Sequence, residues 1–262
     1  MSDPLLSVRG LCKRFGAIVA TDNLHLDVAR GEMHALIGPN GAGKTTLIGQ
    51  LTGEIRPNDG TIHFDGSDIT ALSVDARARL GLARSFQISS VFDTFTAEGN
   101  VALSVQARQS HSFKFWTPAA LIAALRQPAR RKLSAVGLAG RDGTVAADLA
   151  HGEHRQLELA MALATEPRML LLDEPMAGLG IHESKAMTAL LQSLKSQFTI
   201  LLIEHDMDVV FSLADRISVL VGGRIIASGT PDEIRANADV RYAYLGEDSE
   251  EFLATEGGHA SH

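Results

Sequence analysis

Residues 38–45 read Gly-Pro-Asn-Gly-Ala-Gly-Lys-Thr and fit the pattern G-x-x-x-x-G-K-[ST]. No other stretch narrows the possible folds as far. The pattern works only where a strand runs in and a helix runs out, because its glycines must let the backbone wrap a phosphate with N–H groups pointing inward. Both are there. MHALIG is a short apolar run ending in glycine, and KTTLIGQLT predicts a helix stopped by Gly53. Lys44 would then reach the β- and γ-phosphates of a nucleotide, and Thr45 would hold Mg²⁺.

The rest of the chain suits an α/β core around that loop. LLSVRGL and LHLDV alternate as half-buried strands do, and GTIHFDG is another short strand between turn residues. MLLLD (169–173) and TILLI (199–203) are buried-type strands, with the helical stretch HESKAMTALLQSLKS between them. ISVLV, Gly222-Gly223 and RIIASG predict a hairpin. Thr230-Pro231-Asp232-Glu233 is a capping box with proline at the first helical position. Alternating strands and helices predict a parallel sheet, with an N-terminal antiparallel patch and an inserted helical part. The boundaries read as residues 1–87 and 165–235 for the β-subdomain and core, 88–164 for the helical subdomain, and 236–262 for a C-terminal tail.

Met169-Leu170-Leu171-Leu172-Asp173-Glu174 complements the glycine-rich loop: a buried strand ends in a carboxylate suited to Mg²⁺, as a Walker-B aspartate is. Glu174, one residue on, is placed to activate a water; a solvated loop acid is the plain alternative. His205 follows the other buried strand, where ligand crevices of open α/β sheets lie, with a packing histidine as the commoner alternative. Gln87 sits where strand-like ARSF gives way to the helical part, and says nothing alone. His151 and His154 have i, i+3 spacing but no third ligand nearby, so a metal site there is not expected. Arg130, Arg131 and Lys132 read as a solvated helix face.

Composition limits the partners. A net charge of −7 argues against nucleic acid, which is bound through clustered Lys and Arg. The one cysteine, Cys12, forms no internal disulfide, which suits a reducing compartment. MSDPLL does not open like a signal peptide, and no apolar run approaches the roughly twenty residues that span a bilayer. If the protein works at a membrane, another chain supplies the membrane part.

One stretch remains unexplained by a single nucleotide site. LAHGEHRQLELAM (149–161) predicts a second phosphate-ready helix start. With it, the ordered set GPNGAGKTT, Gln87, LAHGE, MLLLDEP and His205 resembles the ATP-binding subunits of ABC transporters over essentially the whole chain. LARSFQ, LAHGEHRQLELAMALA, DEPMAGL and VRYAYLGE are similar to the branch that imports branched-chain amino acids, urea or short amides. The resemblance implies an ATP hydrolase with the fold described, bound at the cytoplasmic face of the inner membrane. It implies ATP and Mg²⁺ as ligands, transmembrane permease subunits as partners, and indirect work with an extracytoplasmic solute-binding protein.

It also implies roles for residues. Phe15 matches the aromatic that stacks on adenine, with a core phenylalanine as the alternative. Gly38, Asn40, Gly41, Gly43, Lys44, Thr45 and Thr46 would cradle ATP. Thr45, Gln87 and Asp173 would serve Mg²⁺, Gln87 also touching the attacking water. Glu174 would be the general base and His205 the γ-phosphate sensor. Leu149, Ala150, His151, Gly152 and Glu153 occupy the place of the family signature LSGGQ, which caps the nucleotide held by a facing ATPase subunit. Three departures weaken that cap: Ala150 for serine, His151 for glycine, and Gly180 where an aspartate is usual. A heterodimer with a second, fuller ATPase subunit is therefore expected, a homodimer being also compatible. The alternative reading is the ATPase of a lipopolysaccharide-type exporter. No [NT]-K-x-D guanine motif surrounds any of the six lysines, and no heptad run points to a chromosome-type clamp.

Overall fold

The computed structural model describes residues 3–85, 91–108 and 119–245. Its strands are β1 (Leu6–Phe15), β2 (Ile18–Val28), β3 (Met33–Ile37), β4 (Asp59–Phe64), β5 (Ser67–Asp68), β6 (Leu82–Ser85), β7 (Met169–Asp173), β8 (Thr199–Ile203), β9 (Arg216–Val221) and β10 (Arg224–Gly229). Its α-helices are α1 (Lys44–Thr52), α2 (Val74–Arg79), α3 (Ala97–Arg108), α4 (Ala119–Ala135), α5 (His151–Ala164), α6 (Ile181–Leu194), α7 (Met207–Leu213), α8 (Pro231–Ala236) and α9 (Ala238–Leu245). The described residues form two compact units, one from those up to Val74 together with those from Thr199 to Leu245, the other from those between Asp75 and Phe198.

The first unit holds an antiparallel sheet in the order β2-β1-β4-β5. Alternation drives it: Leu6 and Val8 on β1, and Leu24, Leu26 and Val28 on β2, are buried, and a register shift between Val8 and Leu11 brings Leu11 in opposite Leu24. Beside it, β3 runs parallel to both β8 and β9, and β10 returns antiparallel to β9 through Gly222 and Gly223. β3 and β8 are buried at every position, as their unbroken apolar runs require. One buried polar contact crosses from β3 to β9. The buried His34 Nε2 lies 2.8 Å from the Ser218 hydroxyl. Its Nδ1 is 3.3 Å from Glu32, close enough for attraction without an angle-correct hydrogen bond. Helices α7, α8 and α9 close an apolar cluster through Val210, Ile234 and Val240 onto Ile37, Ile217 and Val219. The predicted capping box starts α8: Thr230 accepts from Glu233 N–H and the Glu233 carboxylate accepts from Thr230 N–H.

The second unit pairs β6 with β7 in parallel. Helices α3, α4 and α5 pack on one another, with α5 also against β6. Val101, Ala129, Leu133, Leu157 and Ala160 are buried there. Arg130, read as solvated, is exposed and also pairs with Glu98 at 2.8 Å. Among the described residues no helix is long and apolar enough to cross a membrane.

Candidate functional site

In the first unit, β3 delivers the glycine-rich loop and α1 begins directly after it at Lys44. Gly43 caps that helix at φ +108°, and a Cβ there would overlap the Ala20 carbonyl oxygen. A Cβ on Gly38 would likewise overlap the Leu220 carbonyl. Both positions thus need glycine, because backbone from β2 and β9 crowds the loop from outside. The loop is further tied by Gly223 N–H donating to the Ala42 carbonyl at 2.9 Å. Lys44 Nζ donates to the carbonyls of Gly38 and, at 3.1 Å, Pro39, so its ammonium lies over the loop. Asn40, Gly41 and Thr45 are exposed, and Thr46 is half-buried. The first turn of α1 carries no acid that would compete with an anion.

His205 follows β8 and precedes the N-cap of α7. Asp206 accepts from Val209 N–H at 3.1 Å, and the buried Glu204 carboxylate accepts from His205 N–H at 3.1 Å. The backbone is held while the imidazole stays 70 % exposed. Phe15, at the end of β1, is 48 % exposed with Lys13 Nζ 5.1 Å from its ring centre. It is therefore available to a ligand rather than packed in the core.

In the second unit, β7 ends at Asp173, whose side chain is 6 % exposed and accepts from Arg84 Nη2 at 3.2 Å. Glu174 turns out of the strand at φ +51°, a left-handed conformation that costs a non-glycine residue about 1–2 kcal/mol. Its side chain is exposed. Asn23, Asp65 and Glu166 share this left-handed φ, so what sets Glu174 apart is its place directly after a buried strand.

Helix α5 starts at His151 with Ala150 as N-cap. Alanine has no oxygen to offer the first turn, so capping comes from one side only: Glu153 accepts from Ala150 N–H at 3.0 Å. Arg141 holds the other Glu153 oxygen at 2.8 Å. Leu149 caps the preceding 3₁₀ turn. His151 is exposed against Gly178, whose Cβ would fall 3.0 Å from its Nε2, while His154 faces Asp93 at 3.8 Å. The two imidazoles thus have separate neighbours. Gly152 is crowded: a Cβ would lie 2.8 Å from Glu183 Oε1. Glu183 in turn accepts from Gly180 N–H at 3.0 Å and caps α6. Gln87 lies outside the described residues.

Sequence reasoning overlooked Arg84 and Glu183. A basic residue in a short strand beside Gln87, and a glutamate three residues after a helix-opening glycine, were the available signals. For Mg²⁺, the chain offers hard oxygen donors in the Thr45 hydroxyl and the Asp173 carboxylate. Such ions take one or two protein ligands and complete their shell with phosphate and water. The donor chemistry fits.

Known proteins resemble this chain along most of its length. The ABC transporter family profile matches residues 21–177. A second profile, described as branched-chain amino acid ATP-binding cassette transporter, matches residues 224–250. The high-affinity branched-chain amino acid transport ATP-binding protein LivG of Salmonella typhimurium is 43 % identical, over 94 % of this chain and 100 % of its own length. The corresponding protein BraF of Pseudomonas aeruginosa is 41 % identical with the same coverage. A crystal structure of an ATP-binding cassette of an ABC transporter in its ADP conformation superposes with a TM-score of 0.82, at 28 % identity, over 94 % of this chain and 100 % of that one.

Proposed function

Because this chain belongs to the ABC transporter family, and so is an ATPase coupled to transport, we propose that it powers import of branched-chain amino acids or related small amides. The names of the relatives at 41–43 % identity favour this cargo over the exporter alternative. The chain would sit at the cytoplasmic face of the inner membrane, where transmembrane permease subunits supply the path and a solute-binding protein outside delivers cargo.

The observation that carries the reading is the loop between β3 and α1, whose Gly38 and Gly43 cannot bear a side chain and whose helix start is open to an anion. In the reading, Gly38, Asn40, Gly41, Gly43 and Thr46 bind the phosphates through backbone and hydroxyl groups. Lys44 exchanges the Gly38 and Pro39 carbonyls for phosphate oxygens. Phe15 stacks on the adenine. Thr45, Asp173 and Gln87 would hold Mg²⁺, which when bound neutralises charge on the transferring phosphoryl group. Glu174 takes a proton from the attacking water. His205 donates to the γ-phosphate from a backbone fixed by Glu204 and Asp206.

Residues 149–153 would cap the nucleotide of a facing subunit. Ala150 contributes no hydroxyl there, which supports a heterodimer in which the other ATPase subunit carries the stronger signature. The test is reconstitution in vesicles with its permease and second ATPase subunit, following uptake of leucine, urea and a short amide. ATP-dependent uptake of one of these is expected. Uptake of none, alongside intact ATP hydrolysis, refutes the cargo assignment.

A further inference from the structure

The parallel register sets Arg84 of β6 opposite Leu171 of β7. Strand alternation puts Asp173, two residues on, on the same face as Leu171, so Arg84 and Asp173 are diagonal neighbours by construction. Arg84 Nη2 donates to Asp173 Oδ2 at 3.2 Å, with the side chains only 14 % and 6 % exposed. A carboxylate this dry needs a compensating charge, and a guanidinium cannot shed its proton to stop supplying one. None of the roles given above uses Arg84.

A divalent cation arriving at Asp173 meets two opposing effects. Arg84 holds the carboxylate in one orientation, which favours any ligand of it. Freezing so short a side chain is worth a few-fold in affinity at most. Against this, Arg84 occupies a lone pair of the carboxylate and places a like charge beside the incoming ion. In a site shielded from water, that is worth on the order of tenfold or more. The second effect wins.

Resting on the reading of Asp173 as a metal ligand, we propose that Arg84 is a positioning residue that stands in for the metal at Asp173 and competes with it. Arg84 neutralises and orients the carboxylate between nucleotides. It also keeps metal affinity low enough for the metal to leave with the spent nucleotide. The device needs no added motion of the strands, since β6 and β7 hold both groups in register.

The test uses the full chain with ADP and Mn²⁺, reading bound metal by electron paramagnetic resonance rather than by turnover. Arg84→Gln should bind Mn²⁺ in the ADP complex roughly tenfold more tightly than wild type, with metal-free ADP affinity unchanged. Arg84→Lys, which keeps the charge, should stay within about threefold of wild type. Asp173→Asn should bind Mn²⁺ more weakly. If Asp173→Asn weakens binding while Arg84→Gln leaves it equal or weaker, this proposal alone is overturned. If Asp173→Asn changes nothing, the metal-ligand reading of Asp173 fails, and the proposal with it. Should Arg84→Gln not fold by itself, it is produced in Mn²⁺ and ADP, where the metal takes over the neutralising role. Failure to fold there also overturns the proposal.

Discussion

Gly152→Asp probes the second helix start most directly. Its new Cβ would lie 2.8 Å from Glu183 Oε1 and 3.0 Å from Glu183 Cδ, closer than side-chain carbons pack. Glu183 must therefore swing away and release the Gly180 N–H that it caps at 3.0 Å. Losing a cap of this kind costs about 1 kcal/mol. The introduced carboxylate then faces that of Glu183. Two like charges about 4 Å apart repel by about 4 kcal/mol at an effective dielectric of 20. Glu183 is half-exposed, so solvent reduces this to about 1–2 kcal/mol. The sum of about 2–3 kcal/mol lowers Tm by roughly 4–12 °C in a protein of this size. In a Glu183→Gln background the repulsion is gone, and the loss should fall by about half. Two measurements check this: melting of the four proteins in the cycle, and ATP affinity of the isolated subunit beside ATP-dependent association with its partner subunit. Affinity should persist and association should fail. An equal Tm loss in both backgrounds refutes the charge argument. Weakened ATP affinity with intact association refutes the placement of residues 149–153 at the partner's nucleotide.

Lys44→Ala should abolish ATP hydrolysis while changing stability by less than about 1 kcal/mol, because Lys44 lies over a surface loop; turnover assays and melting curves check both halves. Glu174→Gln should retain nucleotide binding and slow hydrolysis by roughly a hundredfold or more; normal turnover with weak binding would rule out the general-base role. Glu174→Gly should raise stability by about 0.5–1 kcal/mol by relieving the φ of +51°, and lose activity, separating strain from chemistry in one variant. For Glu32, burial alone would push the carboxyl up. His34, the Ala29 N–H and Arg216 more than offset it, leaving it below the usual 4.5. The folded state then holds fewer protons there than the unfolded one. The stabilisation is present above pH 4.5 and is lost as pH falls through the lower folded value. The Tm advantage of wild type over Glu32→Gln should be largest near neutral pH and shrink below that point.

Much of this was legible in the sequence, for definite reasons. MLLLD and TILLI are strands at the residues read, because unbroken apolar runs bounded by polar residues leave little choice. Gly53 ends α1 at φ +89°, where any other residue is disfavoured. Thr230 opens α8 as its capping box predicts. What escaped was relational. Arg84 looks unremarkable until the register of β6 on β7 sets it beside Asp173, and register is a property of two strands. Glu183 looks like a surface acid until the chain brings Gly152 against it. The short helix α2 has too few residues to show a period.

The last helices carry a practical consequence. Ile234 and Val240 are as dry as the sheet residues Ile37 and Val219 that they cover. The described part of the stretch matched by the branched-chain profile is thus welded into the common nucleotide-binding scaffold rather than hung from it. Shortening the chain before Val240 opens that cluster to water, and a fluorescent protein or affinity handle inserted there does the same. Drift in the tail and drift in β9 must accordingly be matched to one another, so swapping tails between relatives succeeds only when the facing strand travels with them.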